Sequence, residues 1–357
     1  MAPPAVVIDA DAALVGRDLE EVPQARLVVE ADSVTRIGTR ASVEAPPGAE
    51  MIDASGLSVL PGFIDAHVHI GFADPLDVAR GGVLTARDLG WPPDDIFPLA
   101  ETSLGSGFVG PRILAAGTMI TAPGGYPTRA AWAPAGTGAP VSTTDEAQSA
   151  VRANVERGAA VIKIALNPPV GPTLSLELLR AVVGEAHRAG LKVTGHIYGL
   201  GELHKALDAG VDELAHMLMS PETIPAPTLQ RMVEQEVAVV PTLSIRSGSD
   251  RLIAIDNLRR FRDLGGRVVY GTDLGNEGPE PGIDRTEVQA MAEAGMTSLE
   301  ILRSATVDAA QWLGISDAGA LEEGGRADLI GVHGDAARDV ESLWDVKLVM
   351  RGGRRLL

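Results

Sequence analysis

Asp65-Ala66-His67-Val68-His69 places two imidazoles two residues apart inside an apolar run, 63–70. In a strand, residues i and i+2 face the same way, so both rings point to one side. Neutral imidazoles and carboxylates are ligands for Zn2+, and also for Mn2+, Co2+ or Fe2+. Four more polar side chains stand in comparable places: Lys163 inside Val161-Ile162-Lys163-Ile164-Ala165, His196 late in 191–199, His216 late in 212–218, and Asp273 in Gly271-Thr272-Asp273. A lone ammonium in an apolar strand is costly to bury. Carboxylated by CO2, Lys163 becomes an anionic carbamate whose two oxygens can bridge two cations. Two ions about 3.5–4 Å apart share a hydroxide and polarise a carbonyl, and bound water drops from a pKa of 15.7 to about 7. Asp273, a carboxylate beside them, is the natural general base. The chemistry expected is metal-dependent hydrolysis with two zinc ions. The three other histidines, His187, His204 and His333, read as ordinary, although His204 opens a helix just after His196.

Six convergent groups need a scaffold that points strand ends at one place. Eight short apolar runs recur, at 63–70, 82–90, 112–120, 160–166, 191–199, 212–218, 237–245 and 267–275. Amphipathic stretches such as 175–190 and 201–210 separate several of them, and alternation of this kind implies a parallel sheet. The expected fold is α/β: a (β/α)8 TIM barrel over 58–318, with the six groups at its C-terminal face. An open doubly wound sheet is the runner-up, lowered by the lack of G-x-G-x-x-G after a strand. The connection 121–158, rich in Gly, Pro and Thr, is expected to be a loop folded over the mouth. Residues 1–57 and 319–357 carry short strands around polar or Gly-rich turns, and neither end could bury a core alone. They are expected to form one small β-sandwich domain built from both chain termini.

Composition narrows the partners. The 357 residues are 45% hydrophobic, which suits a buried core, and carry a formal charge of −18. Such a surface disfavours nucleic acid and anionic membranes. Cysteine is absent, which removes thiolate nucleophiles, disulfides and zinc fingers. Aromatics are only 3%, too few for a sugar- or base-stacking platform. The opening residues lack a basic stretch ahead of an apolar one, and no apolar run reaches the ~18 residues of a membrane span. A cytoplasmic protein acting on a small molecule or peptide is expected, with room for a homo-oligomer.

Leu60-Pro61-Gly62-Phe63-Ile64-Asp65-Ala66-His67-Val68-His69 resembles the first-strand motif of the amidohydrolase superfamily. Met51-Ile52-Asp53-Ala54-Ser55-Gly56 resembles its lead-in, and Gly271-Thr272-Asp273 its eighth-strand motif. Thr85-Ala86-Arg87-Asp88-Leu89-Gly90 is similar to the second strand of the imidazolonepropionase-like and Xaa-dipeptidase-like branch, and 318–329 to the return into the terminal domain. The resemblance implies a binuclear site. His67, His69 and Asp273 would hold the more buried ion, His196 and His216 the more exposed one, and carboxylated Lys163 the bridge. Lys163 leans toward the two-metal, dipeptidase-like side. His196-Ile197-Tyr198-Gly199 resembles a pattern whose Tyr contacts a substrate carboxylate, which makes Tyr198 a candidate for that role.

Tyr126 follows Gly124-Gly125, where relatives often carry His, and is a second candidate substrate contact. Arg129, Arg246 and Arg285 fall in expected mouth loops and are candidate carboxylate ligands. The expected reaction is hydrolysis of a peptide or N-acyl amino acid near its C-terminal residue. Alternatives are ring opening of a cyclic amide, imide or lactone, phosphotriester cleavage, and a peptide-processing step in natural-product biosynthesis. A non-catalytic scaffold would have lost ligands, and all six are present.

Overall fold

The computed structural model describes residues 4–357, so the first three residues of the expected 1–57 segment lie outside it. Five strands come first: β1 (Val6–Val15), β2 (Glu20–Pro23), β3 (Ala25–Glu30), β4 (Ser33–Thr39) and β5 (Glu50–Pro61). The barrel strands follow: β6 (Phe63–Val68), β7 (Val83–Asp88), β8 (Arg112–Ala115), β9 (Met119–Thr121), β10 (Gly138–Pro140), β11 (Ile162–Leu166), β12 (Val193–Ile197), β13 (Glu213–Leu214) and β14 (Ala238–Val239). The chain ends with β15 (Leu329–His333), β16 (Val346–Arg351) and β17 (Arg354–Arg355).

Parallel ladders run β6-β7-β8 and β9-β11-β12-β13-β14. The third segment breaks at Gly117, whose φ of +74° suits glycine. The break separates β8 from β9, and Ala160 N–H donates to Ala115 O across the join. The last segment, 267–274, is held without a regular ladder. Val239 N–H donates to Arg267 O, and Val269 N–H to Val239 O. Ala66 N–H donates to Tyr270 O, and Asp273 N–H to His67 O. The eight segments thus close into a ring.

Helices α1 (Pro75–Arg80), α2 (Pro93–Ser103), α3 (Thr144–Glu156), α4 (Leu176–Arg188), α5 (Leu200–Ala209), α6 (Ala226–Glu234), α7 (Gly248–Asp263), α8 (Arg285–Glu293), α9 (Ser298–Ser304) and α10 (Val307–Leu313) follow or separate the ring segments. In α4, Leu179, Val182, Val183 and Ala186 form one buried stripe, and the Ser175 hydroxyl caps the first turn. No helix among the described residues is long and apolar enough to cross a membrane.

Two expectations are corrected. The strands of the two termini are not two separate sheets: β17-β16-β15-β5-β1-β3-β4, with β2 on β1, make one mixed eight-stranded sheet. The reason is the length of β5. It pairs parallel with β1 along most of its length and antiparallel with β15 over Leu57–Pro61, so both termini enter one sheet. The connection 121–158 is not all loop. Thr143 and Glu146 form a capping box that starts α3. The irregular part is 122–137.

Candidate metal centre

All six candidate ligands are buried, and they converge at one end of the ring. His67 and His69 leave β6 on the same side. Nδ1 of His67 lies 2.7 Å from Ala215 O, and Nδ1 of His69 lies 3.1 Å from Gly90 O. A carbonyl only accepts, so each Nδ1 carries a proton, and in the neutral ring each Nε2 presents a lone pair inward. Those Nε2 atoms lie 3.1 and 3.3 Å from Asp273 Oδ1. One ligand atom from each of His67, His69 and Asp273 falls within 4.8 Å of the others.

His216 joins from the segment after β13. Its Nδ1 lies 2.8 Å from the Thr242 hydroxyl, and its Nε2 lies 3.1 Å from Nδ1 of His196, which ends β12. The rings of His67 and His216 are 4.7 Å apart, and those of His196 and His216 are 4.9 Å apart. The Asn167 amide reaches Nε2 of His196 at 3.0 Å. Lys163 projects from β11 and is 1% exposed.

The backbone is bent to make this cluster. Asp273 has φ 60° and Thr242 has φ 46°, left-handed values that cost a non-glycine residue. Asp65 supports the first bend. It accepts from His67 N–H at 3.0 Å, Thr272 N–H at 3.1 Å and the Thr272 hydroxyl at 2.6 Å. Asp88 accepts from Ile70 N–H and Gly90 N–H, which sets the Gly90 carbonyl against His69. Arg87 pairs with Glu213 at 2.5 Å, and both are buried.

Charge and burial compete here. Burial pushes His67 down to about 4 and His196 down to about 3, and takes His216 well below its usual range. Three imidazoles are therefore held neutral, the form that binds a cation. Burial also pushes Lys163 down to about 7, against the pull of Asp273 and Glu213. At Asp273 burial favours the acid, but the surrounding imidazoles outweigh it and hold the carboxylate well below its ordinary range.

Among the described residues, His67 Nε2, Asp273 Oδ1 and Lys163 Nζ are buried with no hydrogen-bond partner. Buried polar atoms without partners are rare and costly. Here a ring nitrogen and a carboxylate oxygen, both ligand atoms, face one another at 3.1 Å, so the donor set fits a divalent cation.

The other candidates separate. Tyr126 stacks on His196, with ring centres 4.7 Å apart and planes at 26°. Tyr198 is half-buried just past β12, where its N–H donates to Leu166 O. Arg129 is exposed beside Gly124. Arg246 is otherwise engaged: its guanidinium donates to the carbonyls of Met217, Leu218 and Met219, and so ties down the loop after His216. Arg285 donates to Trp344 O, and its guanidinium lies over the Trp344 ring. Sequence reasoning missed Asp65 and Asp88 as supports, and Asn167 and Thr242 as imidazole partners. The first two sit inside the quoted motifs, flanking the ligands. The last two had no signal.

Relatives are found both by sequence and by structure. An uncharacterized protein of Mycobacterium tuberculosis is 29% identical over 354 residues, covering 88% of this chain and 89% of that protein. Ochratoxinase of Aspergillus niger is 27% identical over 242 residues, covering 59% of this chain and 49% of that enzyme. Among solved structures, a Xaa-Pro dipeptidase with methionine bound in its active site superposes with a TM-score of 0.83 at 26% identity, covering 98% of this chain and 99% of that one. The sequence profile of the amidohydrolase family matches residues 58–356, a span that contains all six converging side chains. The chain belongs to the amidohydrolase family.

Proposed function

We propose that this hydrolase cleaves the amide bond of a linear peptide or N-acyl amino acid near its C-terminal residue. One observation carries the metal dependence: the convergence of His67 Nε2, Asp273 Oδ1 and Lys163 Nζ, buried and without partners. His67, His69 and Asp273 would hold one ion, and His196 and His216 a second. Lys163, carboxylated, would bridge them, which also answers its burial. Zinc suits this donor set, as do manganese, cobalt and ferrous iron. When bound, such ions polarise a carbonyl and bring the pKa of water from 15.7 to about 7.

The protein's own part is proton handling and placement. Asp273, ionised and fixed by the strained turn, accepts the proton of the attacking water. It returns that proton to the departing nitrogen as the C–N bond breaks. The Nδ1–H bonds of His67 and His69 to backbone carbonyls keep both rings in one tautomer and orientation. Similarity to a Xaa-Pro dipeptidase supports an amide with a free carboxylate close by.

The test is a mass-spectrometric hydrolysis screen of zinc- or manganese-loaded protein with a chelated control. The pool holds dipeptides, longer peptides, N-acyl amino acids, cyclic imides, lactones and phosphotriesters. Chelator-sensitive cleavage of a linear amide supports the reading. Turnover of rings or esters alone overturns the substrate class and leaves the metal site standing.

A further inference from the structure

The chain is 3% aromatic, yet four of its aromatic side chains gather beside the candidate ligands. Trp132, from the irregular segment 122–137, places its ring 5.1 Å from that of His69. It lies 6.0 Å from Tyr126 and 6.2 Å from Phe72. Phe72 in turn meets Trp91 edge to face at 4.9 Å. With Tyr126 stacked on His196, the rings form one arc from His196 to Trp91, leaning on an imidazole of each proposed ion. Phe72 is 47% exposed, and Trp91, Tyr126 and Trp132 are half-buried.

The backbone makes room for this arc. A Cβ on Gly71 would come within 2.3 Å of the Trp91 ring. One on Gly275, at φ +116°, would lie 2.8 Å from the Phe72 ring and 3.0 Å from His69 Cβ. The loop is also preorganised. Gly125, Thr128, Ala130 and Ala133 N–H groups donate to the carbonyls of Ala122, Gly125, Pro127 and Ala130 in successive turns. A half-exposed wall of rings, held rigidly against the reacting end of a barrel, has one natural occupant: the part of the substrate flanking the scissile bond. Apolar rings are covered best by another ring, through offset or edge-to-face contact.

We propose that Phe72, Trp91, Tyr126 and Trp132 form a specificity wall that selects substrates bearing an aromatic ring next to the scissile amide. The proposal rests on the amide-hydrolase reading above. It names the recognised group, which that reading leaves open.

Matched substrates test it on the metal-loaded full chain. N-acetylalanine is compared with N-benzoylalanine, whose ring is on the acyl side, and with N-acetylphenylalanine, whose ring is on the amine side. The expected result is that one ring-bearing partner exceeds N-acetylalanine in kcat/KM by about tenfold or more. Trp132→Ala and, independently, the more tolerant Phe72→Ala should shrink that ratio to within about threefold, mainly through KM, and Trp132→Phe should recover part of it. Metal content of each variant separates loss of the wall from loss of the site. Turnover of all three compounds at rates within threefold would overturn the wall and leave the hydrolase standing. If none is turned over, the N-acyl amino acid arm of that reading fails and its peptide arm stays with the hydrolysis screen, and tryptophan fluorescence of the metal-loaded protein decides the wall alone. Quenching by N-benzoylalanine at concentrations where N-acetylalanine has no effect supports it, and equal responses overturn it.

Discussion

The Thr272 hydroxyl donates to Asp65 Oδ2 at 2.6 Å, joining residues 207 positions apart in the chain. This bond ties the first ring segment to the last. It also fixes the bend at which Asp273 leaves the ring and meets His67 and His69. Thr272→Val keeps the shape and removes the donor; Asp65→Asn keeps the size and removes the charge. Both variants are expected to fold and to lose about 10–100-fold in metal affinity or activity, the usual scale for a partner of ligands. Competition against a chromogenic chelator measures the loss, and unchanged affinity in both would remove the brace from the account.

Asp273→Asn isolates the proton-handling role. The amide fills the same space, and the neighbouring Thr272–Asp65 contacts survive. The expected loss in kcat is about 10²–10⁴-fold with the thermal transition preserved. A loss below tenfold at full metal content would move the base to another residue.

Lys163→Ala tests the bridge. Loss of a charge-stabilising ligand should reduce kcat by about 10²–10³-fold, and added formate or acetate should restore part of it by supplying carboxylate oxygens. In the wild type, isotope-labelled bicarbonate should give a carbamate signal that the variant lacks. Full activity in the alanine variant would leave a one-metal site and no carbamate.

These supports explain how far the sequence could be read. The alternation of His67 and His69 on an apolar strand is a local pattern, and the period of two already aims both rings one way. The ring of eight segments was legible from the recurrence of apolar runs between helical stretches. The ends of those runs were not. Runs 212–218 and 237–245 are strand only at Glu213–Leu214 and Ala238–Val239. Beyond them the chain leaves the ladder so that His216 and Thr242 can meet. Polar contacts across the ring override strand propensity there, and such contacts have no periodic signature. The placement of Tyr126 and Trp132 was equally hidden, since a loop built of turns carries no face. The terminal sheet was misjudged because nothing in short alternating runs says that one long strand will serve both ends.

The two arginines flanking the mouth should behave differently. Among the described residues, Arg129 makes no hydrogen bond or ion pair, and it is exposed. A free guanidinium there can receive a substrate carboxylate. Arg129→Gln is expected to raise KM about tenfold for substrates ending in a carboxylate, with little change for the corresponding amides and no change in unfolding temperature. Arg246→Ala removes donors from three carbonyls beside His216. Its expected signature is a lower unfolding temperature and weaker metal retention, for carboxylate and amide substrates alike. Steady-state kinetics on matched acid and amide substrates, with calorimetry, distinguish the two.

Glu287 gives the fold a pH dependence of its own. It is fully buried; Oε2 accepts from Ser244 N–H at 2.7 Å, while Oε1 has no partner among the described residues. Burial raises its pKa from 4.5 to about 8, against the Ser244 hydrogen bonds, and nearby Asp284 adds to the rise. The folded protein therefore holds a proton that the unfolded chain releases near 4.5. Between that value and about 8 the native state binds more protons, so this group's contribution to stability falls as pH rises, by at most about 1.4 kcal/mol per pH unit. Glu287→Gln keeps an acceptor for Ser244 and cannot ionise. Its stability relative to wild type should be near zero at pH 4.5, grow in favour of the variant up to about pH 8, and then level off. Denaturant titrations of both proteins across that range read the difference directly, and parallel curves would show a carboxyl that stays ionised. The Ser244 hydroxyl also donates to Thr272 O. The Glu287 carboxyl, accepting from Ser244, thus braces through that residue the segment that presents Asp273 to the site.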